Sequence, residues 1–305
     1  MKYPGILVLL LAFSFAGNAQ VNKKVLSAKE DSMKLNALQI IRGINPADRL
    51  GADSMFTRQL VRALKEPYSF DYRFDSLITI SQLYPPDSTF RIFTWQLVIS
   101  DNLVRQHGAI QMRTRDGSLK LFPLIDRSDI TQNISDTIGD NTGWIGAVYY
   151  KLVQKEARGK KYYTLLGYDE NNIRSNKKVI EILTFNEGKP QFGNRIFNAP
   201  DNQLIPKSIS RYVMEYKKSA GPRLTYDSEL DLIIMEHLVS ESNQPAKKWT
   251  LIGDGDYEGF KWADGKWVYI SKVFNEVTPE NQPPTPMTIL DAEGNIDESK
   301  LEPKD

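Results

Sequence analysis

Residues 143–185 read GWIGAVYYKLVQKEARGKKYYTLLGYDENNIRSNKKVIEILTF. Three runs rich in aromatic and β-branched residues stand out: Trp144–Lys155, Lys161–Tyr168 and Lys177–Phe185. The spacing predicts three successive β-strands, because such side chains fit a pleated, half-buried surface. Arg158-Gly159 joins the first pair, and a polar segment joins the second. Parallel strands need long crossovers, so connections this short predict antiparallel pairing.

Working outward, the same grammar covers most of the chain. From about Phe70 the apolar period is two, and further strands are expected at Phe90–Ser100, Ala109–Thr114, Ser118–Pro123, Arg211–Lys217, Arg223–Tyr226 and Leu230–Val239. Lys248–Gly253, Tyr257–Trp262 and Trp267–Lys272 complete the set. Asp116-Gly117 and Asp264-Gly265 are the pairs favoured in two-residue hairpin turns, and Arg158-Gly159 and Glu187-Gly188 are looser versions. The expected fold is mainly β, an antiparallel meander whose sheet is open, barrel-like or propeller-like. Gly167-Tyr168-Asp169, Thr225-Tyr226-Asp227 and Asp256-Tyr257-Glu258 each precede a strand. Their irregular spacing favours repeated hairpin grammar over propeller blades.

Ahead of the strands, Lys23 to Leu64 reads as a pair of α-helices. Met33, Ala37, Ile40, Ile41 and Ile44 share one face at helical spacing, and Phe56, Leu60, Ala63 and Leu64 share another. Gly43 and Asn45-Pro46 separate the two, and Pro67 stops the second. Asp31 and Asp53 are expected as N-caps.

The ends of the chain differ from its middle. Lys2, the apolar run Ile6–Phe15 and the small residues Gly17 and Ala19 predict a signal peptide over 1–19, cleaved before Gln20. A helical segment at 20–67 and an antiparallel β domain at 68–276 follow. Residues 277–305 hold five prolines and seven acids against two lysines, which predicts a disordered tail. The expected residence is exported, periplasmic or secreted. The sequence of 305 residues contains no cysteine, so disulfides, thiol catalysis and a lipoprotein anchor are excluded. No later run reaches the ~18 apolar residues of a membrane helix, so no span is expected in the mature chain. A net charge of +1 gives no reason to expect nucleic acid.

No motif for a cofactor or a catalytic nucleophile occurs, and no cofactor or metal is expected. There are two histidines, His107 and His237, too few for a zinc site built from several of them. His237 reads as a half-buried strand residue, because a catalytic base needs a positioned partner. Asp254, Asp256 and Glu258 alternate, so on a regular strand they share one face and are the weak candidates for acid–base chemistry. A calcium loop is disfavoured, since Gly265 stands where a bidentate glutamate belongs.

With Asp264-Gly265 as a turn, Trp262 faces Trp267. That pair is either hairpin packing or a platform for a sugar ring, with Tyr257 and Tyr168 as further aromatic binding candidates. Lys151, Lys155, Arg158, Lys160, Lys161, Arg174, Lys177 and Lys178 give the central hairpins a basic bias. Such a bias suits anionic partners but also guards strand edges.

Asp31-Ser32-Met33, Asp53-Ser54-Met55, Asp75-Ser76-Leu77, Asp87-Ser88-Thr89 and Asp136-Thr137-Ile138 share one pattern. It is similar to the O-glycosylation acceptor of exported Bacteroidetes proteins, which makes Ser32, Ser54, Ser76, Ser88 and Thr137 modification candidates. Caps and turns favour Asp-Ser as well.

Four phrases carry a wider resemblance: Ser88–Trp95, Tyr163–Asp169, Asn176–Ile180 and Asp254–Phe260. In them the chain resembles a family of uncharacterised exported Bacteroidetes proteins. The resemblance implies envelope residence and no known activity. The expected function is a non-catalytic envelope or periplasmic protein, binding or structural, that contacts a glycan or an envelope protein. The alternative is a carboxylate-based hydrolase acting on glycans through Asp254, Asp256 or Glu258 near Asp169.

Overall fold

A computed structural model describes residues 21–198 and 209–274. The expected signal peptide and the expected proline-rich tail lie outside the described residues.

Two helices open the described chain. Helix α1 spans Lys23–Arg42 and α2 spans Pro46–Leu64. Asn22 caps α1 by accepting from the Val25 amide at 3.2 Å, and Pro46 takes the first position of α2, where its missing N–H costs nothing. The expected caps are corrected accordingly: Asp31 and Asp53 lie inside their helices. Asp53 is buried and accepts from the Trp95 indole at 2.7 Å, with the His107 ring 2.9 Å away. Met33, Ala37 and Ile40 turn inward as expected, but Ile41 and Ile44 do not.

The strands follow in order. They are β1 (Ser81–Leu83), β2 (Phe90–Ser100), β3 (Leu103–Met112), β4 (Lys120–Ile125) and β5 (Gly139–Asp140). The central stretch gives β6 (Val148–Ala157), β7 (Lys160–Asp169) and β8 (Ser175–Asn186). Beyond it come β9 (Lys189–Phe192), β10 (Phe197–Asn198), β11 (Tyr212–Lys217), β12 (Leu224–Asp227), β13 (Leu232–Ser240), β14 (Leu251–Ala263) and β15 (Lys266–Ile270). The fold is mainly β with antiparallel sheets, and among the described residues all strand pairs but β10–β15 are antiparallel.

The single expected meander resolves into three open sheets. The first runs β1-β2-β3-β4, the middle one β5-β9-β8-β7-β6, and the third β10-β15-β14-β13-β12. Strand β11 pairs with β8 beyond the end of β9, so one edge of β8 is shared by two strands. Each order has two ends, so among the described residues none of the sheets closes into a barrel.

Three apolar clusters stack these layers. Leu26, Met33, Phe56 and Leu60 of the helices meet Phe93, Trp95 and Leu97 on one face of β2. Phe90 and Ile92 on its other face meet Tyr163, Leu165, Val179 and Leu183 of the middle sheet. The far face of that sheet, with Leu166, Ile180 and Ile182, packs on Ile233, Met235, Phe260 and Trp267 of the third. Strand β8 is therefore covered on both faces, which is why its Val179–Phe185 stretch is apolar at five of seven positions.

Local chemistry explains the turns. Arg158-Gly159, Glu187-Gly188 and Asp264-Gly265 all take positive φ at both positions, the two-residue turn whose twist matches paired strands. Asp116-Gly117 instead sits in a longer connection between β3 and β4. Trp144 does not begin β6. It bridges Asp126, so residues 144–147 tie the middle sheet to the first.

Candidate functional site

Three sheets converge at one end of the molecule. The β2–β3 turn brings Asn102, the β7–β8 loop brings Asn172 and Arg174, the start of β8 brings Ser175, and β11 brings Glu215. A short 3-10 turn at Lys248–Thr250, just ahead of β14, brings Trp249. Together these residues line a depression of about 330 Å3.

The side chains are positioned by their own chemistry. Asn172 Oδ1 accepts from the amides of Arg174 at 2.8 Å and Ser175 at 3.1 Å, which fixes the loop as an Asx-type turn. Asn171 Nδ2 donates to Ser175 Oγ at 2.8 Å, and Ser175 Oγ donates to Glu215 Oε1 at 2.5 Å. That chain holds one carboxylate oxygen of Glu215 in place. Trp249 is 40% exposed, unusual for a side chain with so much apolar surface. The Arg174 guanidinium lies 5.4 Å from its ring centroid, and among the described residues no group accepts a hydrogen bond from that guanidinium.

On the other side of Glu215 lies a cavity of about 230 Å3 between the middle and third sheets. Ile209, Tyr212, Met214, Leu238 and Leu251 give it an apolar wall, and His237, Lys248 and Glu258 add polar groups. Glu215 lines both hollows.

The backbone around His237 is irregular for a definite reason. Pairing of β13 with β14 shifts between Glu236 and Leu238, which face Tyr257 and Gly253. Asp254, Gly255 and Asp256 thus bulge opposite His237, and Gly255 adopts φ +91°, a conformation that favours glycine. The bulge merges two expected strands into the single strand β14 and breaks their alternation. Asp254 turns to His237 Nδ1 at 2.8 Å, Asp256 is exposed, and Glu258 is buried in the cavity wall. His237 therefore has the positioned partner that its sequence context did not reveal. The three acids do not share one face. Asp169 is bonded to Gln106 of the first sheet at 2.9 Å, across the middle sheet from Glu258. Among the described residues no three acids or histidines stand close enough to hold a metal.

Burial pushes the Glu258 carboxyl above the usual range, and Asp254 adds to this; the hydrogen bond from the Tyr269 hydroxyl and the nearby His237 act against it. A carboxyl raised in the folded state keeps its proton longer there. Its contribution to stability is full below the unfolded value of about 4.3 and is lost as pH rises to the folded value. Glu258→Gln cannot ionise, so it is expected to gain stability relative to the parent as pH increases from about 4 to about 8. Urea unfolding at several pH values checks this. A difference that stays constant, or moves the other way, contradicts the assignment.

The remaining expected site residues are dispersed. Trp262 does face Trp267, with centroids 5.3 Å apart in an edge-to-face pair. Trp267 has no exposed surface and donates its indole N–H to Thr164 Oγ1 at 3.0 Å. Trp262 is half-buried on Tyr162. Trp267 is thus packing between sheets, and of the pair only the half-buried Trp262 keeps open surface. Tyr257 is half-buried beside Phe274, and burial pushes the Tyr168 hydroxyl up to about 12. The basic bias is also spread out: Lys155 pairs with Asp231, Lys161 with Asp87 at 2.8 Å, and Lys178 donates to the Pro222 carbonyl at 2.6 Å. Ser32 and Ser76 are exposed; Ser54, Ser88 and Thr137 are half-buried.

No family model, curated protein or solved structure matches this chain. The site is therefore read from its own residues. Trp249, Glu215, Asn102, Asn172 and Arg174 do not stand out in the sequence as a group, because they come from four separate segments. The one local signal is a tryptophan set among polar residues, Lys247-Lys248-Trp249-Thr250, a context in which burial is not expected.

Proposed function

We propose that the chain is an exported, non-catalytic protein that binds a glycan at the Trp249 depression. The observation that carries this reading is one exposed indole ringed by planar polar groups from three sheets. An indole presents an apolar face to the C–H side of a sugar ring. Amide, carboxylate and guanidinium groups offer paired donors and acceptors to neighbouring hydroxyls. Export rests on Lys2, the apolar run Ile6–Phe15 and the small residues before Gln20, and among the described residues no helix is long and apolar enough to cross a membrane. The likeness to exported Bacteroidetes proteins, and any sugar carried at Ser32 or Ser76, belong to the same reading. Intact mass of the natively expressed protein without hexose-sized increments would remove the latter.

A glycan array probed with the parent, Trp249→Ala and Trp262→Ala tests the site. The expected result is discrete binding by the parent and by Trp262→Ala, with the signal lost in Trp249→Ala. An array without signal for the parent counts against glycan recognition. Loss in Trp262→Ala alone moves the site to the third sheet.

A second reading is favoured by one observation, the His237–Asp254 pair beside the raised Glu258. That arrangement suits a hydrolase with Glu258 as acid and His237 as base. Release of reducing ends from a bound glycan, lost in Glu258→Gln, is its expected signature. A bound glycan recovered intact excludes it.

A further inference from the structure

The depression and the cavity are neighbours with a common wall. Glu215 lines both, and the consecutive residues Lys248 and Trp249 line one each. Their chemistry differs in balance, since the cavity has an apolar wall that the depression lacks. The depression offers amide, hydroxyl and charged groups around an indole. The cavity offers an apolar wall of Tyr212, Met214, Leu238 and Leu251, each under a tenth exposed, with Arg211, His237, Lys248 and Glu258 at its remaining sides. An apolar cavity of about 150 Å3 already accepts a benzene ring. The volume of about 230 Å3 here is enough for a short alkyl chain or a substituted ring.

We infer that the ligand is amphiphilic: a sugar seated on Trp249 whose aglycone, a short alkyl or aryl group, enters the cavity past Glu215. This rests on the glycan reading above and narrows it to glycosides with an apolar substituent. A free polysaccharide leaves the cavity wall unused, and a bare hydrocarbon leaves the polar ring of the depression unused. Burying the substituent supplies affinity that the open depression alone does not, because apolar area removed from water is the main driving term in such sites. Glu215, held by Ser175, stands where the glycosidic linkage passes and can accept from a neighbouring hydroxyl.

The test compares methyl and n-octyl glycosides of glucose, galactose, mannose and N-acetylglucosamine by calorimetry on the full chain, below the micelle concentration. For the sugar that binds, the octyl form is expected to bind at least tenfold more tightly, about 1.4 kcal/mol. Leu251→Phe and Leu238→Phe each narrow the cavity. Either one, if folded by circular dichroism, is expected to remove the octyl advantage and keep methyl glycoside binding. Trp249→Ala is expected to weaken both forms. Equal affinity of methyl and octyl forms overturns the inference and leaves the glycan reading standing. Octyl glycoside binding that Trp249→Ala leaves untouched overturns both, since the cavity then acts alone. No binding of any glycoside also overturns both.

Discussion

Glu181→Ala is expected to destabilise the protein by about 3–5 kcal/mol. Glu181 and Arg211 face each other from β8 and the residue ahead of β11, both only 1% exposed, with Nε 2.7 Å from the carboxylate. The guanidinium also donates to the Ile134 carbonyl and to the Thr137 carbonyl, the latter at 2.8 Å, while its Nη2 has no partner among the described residues. Removing the carboxylate leaves a buried cation with two carbonyls for company, and the cost of that desolvated charge dominates.

The double change Glu181→Leu with Arg211→Met behaves differently. It removes both charges and keeps volume, so it is expected to fall within about 2 kcal/mol of the parent. The residual cost comes from the two released carbonyls in the 134–137 loop. Urea denaturation of both variants decides this. A double variant as unstable as Glu181→Ala would mean that the loop contacts, and not the charge pair, carry the effect.

Arg91→Ala carries the second large effect, about 3–5 kcal/mol. Arg91 sits on the helix-facing side of β2 and is fully buried. Among the described residues it has no ion-pair partner. Its donors reach Gln111 at 2.8 Å, the Tyr72 carbonyl at 2.6 Å, the Tyr84 hydroxyl at 2.8 Å and the Ser69 carbonyl at 2.9 Å. The Phe93 and Phe74 rings lie 4.8 and 5.1 Å from it. The cation thus staples the 69–84 connection onto the first sheet, with aromatic faces in place of a counter-ion. Arg91→Lys keeps the charge but has no planar fork to serve several carbonyls at once, so a loss of at least about 2 kcal/mol is expected. A loss below about 1 kcal/mol in chemical unfolding of Arg91→Ala would contradict this account.

These two arginines mark what the sequence conceals. Hairpins are legible because their determinants are local. Arg158-Gly159, Glu187-Gly188 and Asp264-Gly265 carry the turn in two residues, and the period-two strands either side carry the pairing. Division into three sheets is not legible. Alternation says that a side chain is buried, but not against which layer. Arg91 and Glu181 sit in apolar strands where a charge would ordinarily mark the solvent face, and only stacking on both sides traps them.

The bulge at Asp254–Asp256 hides for a related reason. Gly255 looks like an ordinary turn glycine until its partner His237 is known. Asp53 has the sequence of a cap and the position of a buried acceptor, because Trp95 of β2 and His107 of β3 approach it from strands distant in the chain. The Trp249 depression is built from segments that only tertiary structure brings together. Of the expected pair Trp262 and Trp267, the second is fully enclosed.

Calorimetric titration of the array's strongest glycan into the parent and into Trp249→Ala tests the central claim most directly. The account predicts one site on the parent and at least a tenfold loss of affinity in Trp249→Ala, with both proteins unfolding at the same urea concentration. Unchanged affinity in a folded Trp249→Ala would contradict it.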